Sequence, residues 1–301
     1  MLSLIVCTYN RDKFIYSSLQ KIAKNGFPVS DYEILLINNN STDDTERLCR
    51  QFDADYPQVQ FRYFVETSQG LSFARNRGIA EANGDWLVFL DDDAMLCSDY
   101  LANLSVYLQK YPDAGAFGGK ITPAFESGET PAWLCRWTYS WVSALDMGRE
   151  VSLFKGNKYP IGANMGISRA VADKCGMFNT ALGRSKKNLM GGEEKDIFNR
   201  IKAAGFPIYY FPKAAVEHSI PPHRTTADFI AKLGAGIGAS ERLRCKNIGT
   251  KALLKRYISE ILKWGATITL WVFYILTLRP ACGNMLVKFR WNVSANLFFD
   301  R

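Results

Sequence analysis

The chain has 301 residues, 48% hydrophobic and 22% charged, a balance that excludes a disordered polymer and allows one large domain or two modest ones. Its net charge of +8 is local: residues 232–301 hold twelve Lys and Arg against three Asp and Glu, while residues 1–231 hold 25 against 26. No low-complexity tract or repeat is visible, which excludes a solenoid.

Leu2–Cys7 is a short β-branched apolar run and predicts a buried strand, followed by the polar turn Thr8-Tyr9-Asn10-Arg11-Asp12. Phe14–Ala23 has helical spacing, with Phe14, Leu19 and Ile22 as its inward side. Glu33–Ile37 predicts a second strand ending in Asn38-Asn39-Asn40-Ser41, and Thr42–Phe52 a helix capped by Ser41 or Thr42. Gln60–Val65 predicts a third strand, Leu71–Ala82 a helix closed by Asn83-Gly84, and Trp86–Leu90 a fourth strand stopping at Asp91. Strand–helix alternation at this spacing implies βαβ units and a mostly parallel sheet. Ligands bind such sheets at the carboxyl ends of the strands. Thr8–Arg11, Asn38–Ser41 and Asp91–Asp93 all sit there, on the rim where a nucleotide would lie.

Trp133, Trp137 and Trp141 follow at intervals of four, which suggests one face of a helix, either packed inward or forming an acceptor-facing platform. Residues 192–204 look helical and Pro207–Phe211 strand-like. Residues 265–278 are 14 apolar positions, short of the roughly 20 a bilayer span needs. They fit a buried, interfacial or re-entrant segment. The basic, aromatic tail suits an anionic membrane surface or a polyanionic partner; with it, the segment favours membrane association without a clear span, against the plainer reading of a solvated basic helix. Seven scattered cysteines, odd in number and not at metal-ligand spacing, suit free thiols in a reducing cytosol, and MLSLIVCTYN has no basic leader.

Three adjacent carboxylates at a strand end repel one another unless something neutralises them. Mg²⁺ or Mn²⁺, with oxygen ligands, would do so and would also bridge a diphosphate. Taken alone, the triplet reads equally well as a solvated acidic turn.

The ordered set SLIVCTYNR, EILLINNNSTDDT, GLSFARNRGIAEANGDWLVFLDDD, GANMGISR, GGEEKDIFNRIKAAG and YYFPKAAVEH resembles the family 2 glycosyltransferases over residues 1–220. The resemblance implies a GT-A (Rossmann-like) α/β fold, with a nucleotide-sugar half at 1–115, an acceptor and catalytic half at 116–225, and a basic helical extension at 226–301. It implies an inverting hexosyl- or N-acetylhexosaminyltransferase of polysaccharide or glycan biosynthesis. The donor would be a nucleotide sugar, a UDP-sugar foremost, and the acceptor a saccharide or polyprenyl-linked glycan. No nucleic acid is implied as a partner. The enzyme would sit peripherally on the inner face of the cell membrane.

Carried over by residue, Thr8, Tyr9, Asn10 and Arg11 would hold base and ribose, and Asn39 would pair with the base. Gly70, Arg75 and Asn76 would pack beside the nucleotide, with Arg75 either on a phosphate or in a structural ion pair. Asp91 and Asp92 would face ribose and diphosphate. Asp91, Asp93 and His218 would hold Mn²⁺ or Mg²⁺. Glu194 falls where the family has an Asp general base, with Glu193 as rival and Asp196 behind it. Asn164 follows Gly162, a glycine that lets backbone approach closely, and is a candidate donor or acceptor contact. The Glu-for-Asp change keeps a non-catalytic nucleotide-sugar or glycan binder as the alternative. A nucleotidyltransferase would want a glycine-rich phosphate loop, and Cys7–Asp12 has no glycine.

Overall fold

A computed structural model of the chain describes residues 1–182 and 192–299. These form two compact units. The first holds Met1–Pro123, the stretch from Ser143 to residue 182, and Gly192–Ser219; the second holds Ala124–Val142 and the stretch from Ile220.

The first unit opens β1 (Leu2–Thr8), α1 (Asp12–Ala23), β2 (Tyr32–Asn38), α2 (Thr45–Asp55), β3 (Phe61–Val65), α3 (Leu71–Glu81) and β4 (Trp86–Asp91). It continues with β5 (Ala94–Leu96), α4 (Tyr100–Lys110), β6 (Ala116–Phe125), β7 (Ser152–Leu153), β8 (Asn164–Ser168), α5 (Arg169–Cys175), α6 (Glu193–Ala203) and β9 (Ile208–Ile220). The strand order is β3-β2-β1-β4-β8-β6-β9-β5, with β7 beside β9. Strands β3, β2, β1 and β4 pair in parallel; β8 runs antiparallel to β4 and β6, and β5 and β7 antiparallel to β9. The sheet is therefore mixed, and its parallel part ends where the βαβ alternation ends.

Continuous apolar runs build the parallel strands because both faces are covered. Leu4, Val6, Ile34, Leu36, Val88 and Leu90 join one core with Ile15, Leu19 and Phe52 of α1 and α2. Their neighbours Ile5, Leu35, Ile37, Leu87 and Phe89 join the other, with Ile79 of α3 and Ile197, Phe198 and Ile201 of α6. The period of two divides each strand between the two cores.

Local differences from the sequence reading have identifiable causes. In α1 the buried residues are Ile15, Ser18, Leu19 and Ile22, so Phe14 stays half-buried at the helix entry. Neither Ser41 nor Thr42 caps α2, which begins at Thr45. Asp43 instead accepts from the Thr45 amide and hydroxyl and from the Asp12 amide, an Asx-type turn that delays the helix.

In the second unit, Trp133, Trp137 and Trp141 do not stripe a helix. They lie in turns and a 3₁₀ segment, Tyr139–Val142. Trp133 is buried and donates to the Thr225 carbonyl, Trp141 stacks on Phe289 at 4.1 Å, and Trp137 is exposed. The remainder of this unit is α7 (Ala227–Ile248), α8 (Thr250–Leu276) and α9 (Pro280–Phe298), with α9 packed on both others. A Cβ at Gly234 of α7 would stand 3.0 Å from the Phe289 carbonyl, so small residues there let the helices close up. The apolar run 265–278 is mostly the second half of α8. Among the described residues no helix is long and apolar enough to cross a membrane.

Candidate active site

The site is assembled at the carboxyl ends of β1, β2 and β4. Two loops are first tied together. The Asn39 amide donates to the Thr8 carbonyl at 2.8 Å, the Asn10 amide to Ser41 Oγ at 2.9 Å, and the Thr42 amide to Asn10 Oδ1 at 2.8 Å. Asn10 takes the left-handed conformation (φ 52°), which Asn tolerates better than most residues. Asn38 donates to the Tyr63 hydroxyl and accepts from the Ser41 amide. Asn39 spends its whole side chain locally: it donates to the Glu66 and Ser68 carbonyls and accepts from the Gly70 amide. It thereby shapes the Glu66–Gly70 loop.

The chain leaves β4 at Asp91, turns through Asp92 and Asp93, and re-enters the sheet as β5. Strand β5 runs antiparallel to β9 with Ala94 opposite His218, and the Ser219 amide donates to the Asp93 carbonyl at 2.9 Å. This register brings together two residues 125 positions apart. His218 Nε2 lies 3.0 Å from Asp93 Oδ1 and 3.9 Å from Asp91 Oδ2. Asp91, Asp93 and His218 each present a ligand atom within 4.8 Å of the other two, with Asp93 and His218 buried.

Arg11 reaches over from the first loop, with Nε 3.5 Å from Asp92 Oδ1 and Nη2 3.3 Å from Asp93 Oδ2. Burial and the neighbouring Asp93 charge push Asp92 up to about 8 in spite of Arg11. Beside them, burial pushes the Cys7 thiol up to about 12, so it stays neutral. Two carboxylates and an imidazole nitrogen, crowded at the rim and short of positive charge, are a donor set that fits a hard divalent cation. Nε2 is the His218 nitrogen facing the carboxylates, and Nδ1 has no hydrogen-bond partner among the described residues.

Arg75 organises the second cluster. It is 3% exposed on α3 and pairs with Glu193 at 3.1 Å and Glu194 at 3.2 Å. Those charges, with Asp91 further off, hold its pKa up against burial. Of its two expected roles the ion pair is what the geometry realises. Glu193 and Glu194 open α6 behind Gly192, whose φ of 118° suits glycine. Gly191 lies outside the described residues. Glu193 is 5% exposed and its second oxygen has no partner among the described residues; Glu194 is 22% exposed. Glu194 Oε1 also accepts from the Gly162 amide at 2.9 Å. A Cβ at Gly162 would collide with both the Arg75 guanidinium and that carboxylate oxygen, so a side chain there would have to displace the ion pair.

Asp196 turns away and pairs with Arg200 on its own helix. Asn76 exchanges two hydrogen bonds with the Phe178 backbone, bracing α3. Asn164 is fully buried. It accepts from Tyr100 and donates to the Lys120 and Ala214 carbonyls, so it holds β8 among its neighbours. Tyr9 is half-buried beside Thr8. The reading of the sequence missed the stapling role of Asp43 and the Tyr100–Asn164 bond; a polar residue on an otherwise apolar helix face was the available signal for the latter.

The sequence model of Glycosyl transferase family 2 matches residues 3–176. The chain belongs to this family. It is a glycosyltransferase, and curated relatives agree. It is 23% identical over 273 residues to a glucosyl-dolichyl phosphate glucuronosyltransferase of Haloferax volcanii, a match covering 87% of this chain and 85% of that protein. It is 26% identical over 231 residues to the succinoglycan biosynthesis protein ExoM of Rhizobium meliloti, covering 75% and 69%. In fold the glycosyltransferase is similar to the mannosyltransferase PcManGT of Pyrobaculum calidifontis, solved with GDP-Man and Mn²⁺. The TM-score is 0.64 at 17% identity, over 99% of this chain and 87% of that one. It is also similar to S. aureus TarS 1-349 in complex with UDP-GlcNAc, with a TM-score of 0.54 at 17% identity over 98% and 90%. The GT-A type of α/β fold is thus shared.

Proposed function

We propose that this glycosyltransferase is inverting and metal-dependent. It moves a hexosyl or N-acetylhexosaminyl group from a nucleoside diphosphate sugar, foremost a UDP-sugar, to a hydroxyl of a saccharide or polyprenyl-linked acceptor. The observation that carries this reading is the convergence of Asp91, Asp93 and His218 within 4.8 Å at the end of a central strand. A divalent ion, Mn²⁺ or Mg²⁺, held by these three would supply charge neutralisation at the leaving diphosphate.

This chain's own residues do the rest. The tied loops at Thr8–Arg11 and Asn38–Ser41 form a preshaped cradle for base and ribose, and Arg11 lies where a phosphate charge would draw it off the carboxylates. Glu194 is the general base: its carboxylate takes the proton of the acceptor hydroxyl as that oxygen attacks the anomeric carbon opposite the leaving group. Arg75 and the Gly162 amide fix its orientation. Glu193 is too buried to meet an acceptor and serves to anchor Arg75.

The acceptor is assigned as lipid-linked in part because a relative covering 87% of the chain acts on a dolichyl phosphate sugar by its name. Acting on such an acceptor, the enzyme works peripherally at the inner face of the cell membrane, brought there by its basic C-terminal stretch.

The test is nucleoside diphosphate release from UDP-sugars by the full chain, with and without Mn²⁺, and NMR of the product anomer. Asp91→Ala, Asp93→Ala and Glu194→Ala should each abolish transfer while leaving the fold intact. Full activity in a folded Glu194→Ala variant overturns the base assignment, and retained anomeric configuration overturns inversion. Donor binding without turnover by the unaltered chain would favour a binding protein instead.

A further inference from the structure

Helix α8 is built the wrong way round for water. Its three buried residues are Glu260, Thr267 and Tyr274. Its outward stripe is Leu254, Ile258, Ile261, Ile268, Val272 and Leu276, each between 44% and 77% exposed. At about 100° per residue these six fall within an arc of roughly 80°, opposite the buried three, and run for about 33 Å along the helix.

The inner face is satisfied electrostatically. Glu260 accepts from Arg256 at 2.8 Å, from Arg290 of α9 at 3.2 Å and from Ser294 of α9 at 2.9 Å. The hydrogen bonds from Arg256 and Ser294 and the charge of Arg290 keep this carboxylate below the usual Glu range in spite of burial. A helix that buries an ion-pair network and turns its aliphatic face outward loses the hydrophobic gain that normally holds a surface helix down. A contiguous exposed stripe of this size marks a surface with an apolar occupant.

We propose that this stripe is a docking surface for an anionic phospholipid bilayer, with α8 lying in the plane of the interface. Charge complementarity selects this occupant. The two acidic residues between positions 232 and 299, Glu241 and Glu260, are both engaged in internal ion pairs. Lys251 and Lys255 are exposed at the N-terminal end of the stripe, and Arg279 lies just past its C-terminal end. Among the described residues no helix is both long and apolar enough to cross a membrane, so the apolar side of α8 enters only the headgroup and upper acyl region. The inference deepens the proposed action on a lipid-linked acceptor by naming the surface that meets the lipid.

The experiment is sedimentation of the full chain with vesicles of phosphatidylcholine alone and of phosphatidylcholine mixed with phosphatidylglycerol. The unaltered chain should bind the anionic vesicles, and binding should weaken as salt rises. The double variant Ile261→Asp with Ile268→Asp changes only exposed positions. It should keep its circular dichroism and Mn²⁺-dependent donor hydrolysis while losing roughly a hundredfold in vesicle partition. Failure of the unaltered chain to bind anionic vesicles overturns the proposal. So does equal binding by the double variant. A dimer in solution that the double variant dissociates, without vesicle binding, assigns the stripe to a second copy instead. Vesicle binding without any donor turnover leaves the surface standing and counts only against the catalytic reading.

Discussion

His218 Nε2 stands 3.0 Å from Asp93 Oδ1, while the other oxygen of Asp93 stands 3.3 Å from Arg11. One carboxylate is thus shared between an imidazole and a guanidinium. The histidine, held in a strand, cannot leave; the arginine, on a loop and more exposed, can. His218→Ala should weaken Mn²⁺ binding by roughly tenfold to a hundredfold. Calorimetric titration with Mn²⁺ in the presence of UDP checks this, and unchanged affinity would remove His218 from the ligand set.

A side chain at Gly162 should displace the ion pair packed against it. Gly162→Ala forces the Arg75 guanidinium and the Glu194 carboxylate apart, because the added methyl occupies their place. We expect a fall of about 10² in kcat from the misplaced carboxylate. The strain should cost roughly 1–3 kcal/mol of stability. Steady-state kinetics beside a denaturation curve separates the two effects.

Arg75 neutralises two carboxylates in a nearly closed space. Arg75→Met leaves Glu193 buried and unpaired, and should destabilise the fold by about 3–5 kcal/mol. Adding Glu193→Gln should recover part of that loss, since it removes the stranded charge. Equal urea midpoints for the single and double variants would contradict the coupling.

Glu33 makes the fold acid-sensitive. Burial alone would raise its pKa, but hydrogen bonds from Ser3, Asn83 and Arg62 outweigh burial and hold it below the ordinary 4.5. Because the folded value lies below the unfolded one, its stabilisation is complete above the unfolded value and is lost as pH falls through the folded value. Glu33→Gln should cost about 1–3 kcal/mol at neutral pH and flatten the stability profile on the acid side. Urea denaturation across a pH series measures both.

The parallel strands were legible because burial on both faces writes them as unbroken apolar runs, as in Leu2–Cys7 and Trp86–Leu90. The polar residues at their ends were legible for the same reason: the pattern stops abruptly. What the sequence hid was long-range. Strand β9 reads as Pro207–Phe211 but continues to Ile220, because Pro212, Lys213 and Glu217 interrupt an alternating pattern that pairing restores. The three tryptophans kept helical spacing without forming a helix, since Trp133 and Trp141 are placed by tertiary stacking rather than by local periodicity. The use of Asn39, Asn76 and Asn164 as internal braces is likewise invisible in one dimension, where an amide beside a ligand rim and an amide tying two loops look alike.

The ladder between β5 and β9 does two jobs at once: it closes the edge of the sheet, and it measures the gap between Asp93 and His218. Those jobs cannot be edited separately. A single-residue insertion or deletion within Ile208–Glu217 would shift Ser219 or Glu217 into the place opposite Ala94 and turn the imidazole to the far side of the sheet. Length variation should therefore be tolerated in the turns before this strand and rejected inside it, and a chain altered there would keep its strands while parting His218 from Asp93.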